Sequence, residues 1–260
     1  MTKILAITNQ KGGVGKTTTS VNLAASLSAA KQRVLLIDLD PQGNATMGSG
    51  IDKRDLKSSI YDVLLGNKTI VEARIYSGAG KYDLLAANRN LAGAEIELVD
   101  LQHRETRLRD AVKLVAIEYD YVLIDCPPAL NLLTLNGLCA AKSVMIPMQC
   151  EYYALEGLSD LVNTIRKVRT NLNPELEIEG LLRTMFDPRN ALAQQVSDQL
   201  QEHFGNKVYR TVIPRNVRLA EAPSYGVPAL YHDKLSKGTQ AYLALAGEIL
   251  NITANIAVTE

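Results

Sequence analysis

The chain has 260 residues, 47% of them hydrophobic, enough to bury a sizeable core, and residues 1–260 read as a single domain. Lysine plus arginine and aspartate plus glutamate both number 28, which excludes a global field pulling the protein onto nucleic acid or anionic lipid; such binding needs a local patch. Cys126, Cys139 and Cys150 form neither a C-x-x-C pair nor an even framework, so they read as core filler in a reducing compartment.

The first predicted strand, Ile4–Thr8, is an apolar run that stops at Thr8-Asn9-Gln10. That is too short for a signal peptide or a membrane span, and a cytoplasmic protein is expected. Next comes Lys11-Gly12-Gly13-Val14-Gly15-Lys16-Thr17-Thr18, which opens a helix running through Asn22-Leu27. The common G-x-x-x-x-G-K-[ST] pattern fails at Gln10, where its first glycine would fall, so this is the deviant Walker A form, K-G-G-x-G-K-T-T. Glycines free the backbone N–H groups to wrap a phosphate, and the helix start near Lys16 adds its positive dipole end. Lys16 is placed to touch the β- and γ-phosphates of ATP, or the β-phosphate of ADP. Thr17 carries the hydroxyl that such loops offer to Mg²⁺, and Thr18 lies near the α-phosphate.

A second strand, Val34–Asp38, leads to two acids, Asp38 and Asp40, two residues apart and so on one side of an extended chain, where both can face the nucleotide and Asp38 is a candidate Mg²⁺ ligand. From Asp52 to Glu118 the spacing turns mostly helical, over Ser59–Leu65, Leu91–Leu98 and Glu105–Ile117, with one short strand at Tyr82–Ala86. Tyr121–Asp125 is an apolar strand closed by an acid, the form of a Walker B element that holds the Mg²⁺ shell partly through water. Strands at Ser143–Met148, Ile178–Thr184 and Val208–Ile213 complete the series. Strands alternating with helices, and near-continuous apolar runs such as Val34-Leu35-Leu36-Ile37, predict an α/β fold: one doubly wound, mostly parallel sheet flanked by helices. A phosphate loop and acids at strand ends belong together there, because ligands bind beyond the carboxyl ends of the strands.

These stretches resemble the ParA proteins, in particular the short Soj form, over essentially the whole chain. The residues that carry the resemblance are Asn9–Thr18, Asp38–Thr46, Asp125–Pro128, Gln149–Gly157 and Ile213–Pro223. The resemblance implies a P-loop ATPase that forms an ATP sandwich dimer, binds double-stranded DNA without sequence preference, and hydrolyses ATP when a ParB-type partner stimulates it, on the nucleoid when ATP-bound. It also implies roles. Lys11 reaches the partner subunit's nucleotide, Asp40 positions water, and Glu151 approaches the ribose across the dimer. The Thr184–Asp187 region, with Met185 and Asp187, and the stretch Pro214, Arg215 and Asn216 border the adenine. Arg189 and Arg218 face DNA. Between Lys207 and Lys237 six basic residues stand against Glu221 and Asp233, a local positive excess that dimerisation would double.

Three rivals share the loop. A membrane-cycling ATPase needs a basic amphipathic tail, but no lysine or arginine follows Lys237. An amide-forming ligase needs a pocket beside the γ-phosphate, which no motif identifies, and an iron–sulfur reductase would have to draw on cysteines that read as core. His103, His203 and His232 have no second histidine at ligand spacing, and Tyr152-Tyr153 is expected to pack against neighbouring helices rather than stack on bases.

Overall fold

In the computed structural model, residues 1–152 and 154–257 are described, the side chains of 252–257 excepted. Seven strands form one sheet: β1 (Lys3–Ile7), β2 (Val34–Asp38), β3 (Ile75–Ser77), β4 (Tyr82–Leu85), β5 (Tyr121–Asp125), β6 (Ser143–Met148) and β7 (Glu177–Arg183). Their order is β3-β4-β2-β5-β1-β6-β7, and every neighbouring pair is parallel except the β3–β4 edge. The predicted doubly wound sheet is therefore present. Every residue of β2 and β5 is buried, the condition under which unbroken apolar runs become strands covered on both faces.

Twelve α-helices cover the sheet among the described residues: α1 (Lys16–Ala29), α2 (Asn44–Gly48), α3 (Ile60–Leu65), α4 (Ile70–Ala73), α5 (Leu91–Glu97), α6 (Arg107–Val115), α7 (Leu132–Ala140), α8 (Ala154–Asn171), α9 (Ala191–Phe204), α10 (Val217–Glu221), α11 (Ala229–His232) and α12 (Lys237–Ala257). One apolar layer joins the sheet to α3 through α9. The other joins it to α1, α2, α10, α11 and α12, and the buried Tyr242 hydroxyl of α12 lies 3.0 Å from Thr19 Oγ1 of α1. Cys126, Cys139 and Cys150 are buried in the first layer as free thiols. No helix among the described residues is long and apolar enough to cross a membrane.

The segment Val208–Ile213, predicted as a strand, is not one. It follows β7 with a single isolated bridge, Leu181 to Val208. Side chains capture the groups a ladder would need: Arg183, buried on β7, donates to the carbonyls of Tyr209 (2.8 Å) and Arg210 (3.3 Å), and Glu248 accepts from the N–H groups of Arg210 (2.8 Å) and Thr211 (3.0 Å). The predicted helix over Glu105–Ile117 contracts to α6 plus a 3₁₀ turn at Ala116–Glu118. The edge strand β3 was not foreseen. Ser59 sits outside α3 as its N-cap, in a capping box with Asp62. Tyr152 stands 73% exposed, while Tyr153 and Val258–Glu260 lie outside the described residues.

Candidate nucleotide site

The parallel register lines up the carboxyl ends of three adjacent strands. Asp38 pairs with Asp125, and Asp125 with Ile7, the residue from which the glycine loop departs. Sequence-distant groups fix that loop. Asn9 donates to Pro147 O (2.8 Å), Gln149 Nε2 to Gly13 O (3.1 Å) and Thr184 Oγ1 to Val14 O (2.7 Å). Gly15 caps α1 at φ 85°, a left-handed value at which a side chain would be strained. A Cβ on Gly12 or Gly13 would meet nothing within 4 Å. The loop is thus held from behind and open in front, the shape of a cradle for an anion.

Lys16 occupies the inside of this cradle. It is only 8% exposed, and its Nζ donates to Lys11 O across the loop (3.1 Å). Burial lowers its pKa, against the pull of Asp125 and then Asp40. Thr17 and Ser20 each donate to a different oxygen of Asp125, both at 2.8 Å. Burial pushes Asp125 up to about 7, with repulsion from Asp38 the next cause. Asp38 rises to about 6, also through burial, and its hydrogen bonds from Thr46 oppose the shift. Thr18 follows Thr17 in the first turn of α1, where its carbonyl accepts from Asn22 Nδ2 (2.8 Å).

The two acids of the second strand divide their work. Asp38 is fully buried and accepts from Thr46 N and Thr46 Oγ1, both at 2.8 Å. Asp40 is half-buried, accepts from Gln42 N (2.9 Å) in a turn, and lies close enough to Lys16 to act on its charge. Lys11 points elsewhere: its Nζ lies 2.5 Å from Glu151 Oε2 at the exposed lip, both side chains about half exposed.

The two stretches expected to border the adenine meet at a bridge between Phe186 and Pro214. Met185 has φ 50°, and its sulfur accepts from Gln149 Nε2 (2.9 Å). Asn216 caps α10 by accepting from Leu219 N, and Arg215 is exposed. Asp187 accepts three hydrogen bonds from Arg189, from its backbone N–H (3.0 Å) and its guanidinium (2.9 and 2.8 Å). Arg218 is clamped between Glu221 (2.8 Å) and Asp233 (3.4 Å). Both acids of that stretch thus hold the same arginine, which neutralises Arg218 and leaves the excess to the other basic residues.

With this geometry in hand, the likeness to known proteins is informative. A family profile described as an AAA domain matches residues 2–178. The Bacillus subtilis (strain 168) sporulation initiation inhibitor protein Soj is 55% identical, over 96% of this chain and 98% of its own. The Caulobacter vibrioides (strain NA1000 / CB15N) chromosome partitioning protein ParA is 51% identical, over 96% of this chain and 94% of its own. The chain belongs to the ParA/Soj family of partitioning ATPases. Among solved structures, a Mycobacterium smegmatis protein described as cobyrinic acid a,c-diamide synthase, with bound ADP and magnesium, is 38% identical with a TM-score of 0.85, covering 96% of this chain and 94% of that one.

Within this ParA/Soj chain, the sequence pattern of loop and strand-end acids missed two polar residues of the site. Ser20 lies one helical turn beyond Thr17 and so on the same face of α1, a spacing that could have flagged it. Thr46 had no comparable signal, since its bond to Asp38 depends on how the chain doubles back after Gly43.

Proposed function

We propose that this chain is an ATP-dependent dimerising switch serving chromosome or plasmid segregation, and that its 260 residues act as one cytoplasmic ATPase domain. In this reading ATP binds in the glycine loop, two copies close face to face, the dimer binds duplex DNA without sequence preference, and a ParB-type partner stimulates hydrolysis to ADP. The observation that carries the reading is the division of labour between the two loop lysines. Lys16 is folded into its own cradle, whereas the Lys11 ammonium stands at the exposed lip paired with Glu151, and this reading has it serve another subunit's phosphates.

Mg²⁺ fits the same site. Two fully buried carboxylates and the Thr17 hydroxyl provide hard oxygen donors, and no group of three or more acidic, histidine or cysteine ligands gathers among the described residues. That suits an ion that keeps several waters and takes phosphate oxygens as ligands. When bound, it neutralises charge on the β- and γ-phosphates. Two clefts, one of 420 Å³ between α8, α9 and the start of β7 and one of 460 Å³ beside β3, lie away from the phosphate loop. Light scattering tests the switch directly. The mass should double from 28.4 kDa with Mg²⁺ and ATP and remain 28.4 kDa with ADP; a constant mass overturns the reading.

The acid-clamped arginines make a second expectation specific. Arg218→Glu should weaken ATP-dependent binding to any duplex about tenfold and reduce the salt slope by about one. Glu221→Gln should act in the opposite direction, because it frees the same guanidinium. Dimerisation by ATP should be unchanged in both. Titrations of random and defined duplexes by biolayer interferometry decide the matter: equal binding in ATP and ADP, or no change in either variant, places the DNA surface elsewhere.

A further inference from the structure

We infer that Thr46 is a positioning residue for ATP hydrolysis, its hydroxyl tying the Asp38 carboxylate to the exit of β4 and thereby fixing the turn that carries Asp40. The inference rests on the reading of Asp40 as the group that orients water. Thr46 is fully buried. Its backbone N–H and its hydroxyl both donate to Asp38 Oδ2 at 2.8 Å, and the hydroxyl oxygen also accepts from Ala87 N at 2.9 Å. The other Asp38 oxygen accepts from the N–H of Asp40 at 3.2 Å. One unbroken run of hydrogen bonds therefore leads from Ala87 through Thr46 and Asp38 to the backbone of Asp40.

A steric contact reinforces the same junction. Gly43, at φ 61°, donates its N–H to Asp40 O (2.9 Å), and a Cβ on it would lie 2.7 Å from Ala87 O. The β4 exit is itself anchored, since Ala86 O accepts from Ile60 N at 2.9 Å at the start of α3. Asp40 thus owes its place to a strut between two strands rather than to its own short turn. Phosphoryl transfer to water depends on placement, and a displacement on the order of 1 Å can cost about a hundredfold in rate. Nothing in this strut hydrogen-bonds to the loop amides or to Lys16, so its loss should lower kcat far more than it weakens ATP binding.

The test compares Thr46→Val, Thr46→Ser and Gly43→Ala with the wild type, measuring kcat and KM for ATP, the ATP-dependent mass, and the melting curve. Thr46→Val should lower kcat by about tenfold to a hundredfold while KM stays within about threefold and the ATP dimer still forms. Thr46→Ser, which keeps the hydroxyl, should recover kcat to within about threefold of wild type. Gly43→Ala, which forces the turn and Ala87 apart without touching the hydroxyl, should repeat the loss in kcat and supplies the test should Thr46→Val fold poorly. Wild-type kcat in Thr46→Val, a parallel loss of ATP binding, or a serine variant no better than valine overturns the inference. Asp40→Ala separates the two levels: if that variant turns over normally, the reading of Asp40 fails, whatever Thr46→Val does.

Discussion

Lys16→Ala is expected to abolish measurable ATP binding, a loss of at least about a hundredfold in affinity, or about 3 kcal/mol. The size follows from where the ammonium sits. It is almost fully buried, within the field of Asp125 and Asp40, and directed across the mouth of a loop whose glycines leave open space in front. A charge-assisted bond made in such a place is roughly twice as strong as a neutral one. Loss of the cation would also leave Asp38 and Asp125 side by side with less positive charge near them, adding repulsion against an incoming polyphosphate. Calorimetric titration with ATP and Mg²⁺, with a melting curve as the folding control, gives the answer. Wild-type affinity in a folded Lys16→Ala protein would remove the loop from the nucleotide site.

Asp40→Ala should lower hydrolysis by at least about a hundredfold and leave a dimer that persists in ATP. Asp40 is half-buried, acts on the charge of Lys16, and takes no part in holding the loop, so its loss should act on the chemical step and not on binding. Lys11→Ala should do the reverse and remove ATP-dependent association, on the proposal that the ammonium at the lip reaches the partner's phosphates. Its present contact is an ion pair between half-exposed side chains, of the kind that contributes between 0 and about 1 kcal/mol and is readily exchanged for a stronger partner. Size-exclusion light scattering of both variants in ATP distinguishes the roles. A Lys11→Ala dimer as stable as wild type means that this lysine works only inside its own subunit.

The sequence made the central strands legible because β2, β5 and β6 are buried on both faces, so their apolar runs are unbroken and end at turn residues. The loop was legible for a different reason: its chemistry is local, written in consecutive glycines and lysines. Features that depend on register were not. Thr46 meets Asp38 only because α2 returns the chain to the end of β2, and Ser20 meets Asp125 across 105 residues. The failure at Val208–Ile213 has the same origin, since a propensity for strand gave way to Arg183 and Glu248, whose side chains take the backbone groups a ladder would use. Arg218 and Glu221 are three residues apart on α10, and their pairing could have been expected from helical spacing alone.

The bond from Thr184 to the carbonyl of Val14 spans 170 residues, and it sets a schedule for the growing polypeptide. All the glycines of the cradle leave the ribosome within the first fifteen residues of synthesis, yet the wall that holds them is among the last parts of the sheet to arrive. Until β7 has emerged and joined β6, a nascent chain carries the glycine motif without the Thr184 contact that holds Val14, so the geometry of the loop is completed only with the sheet.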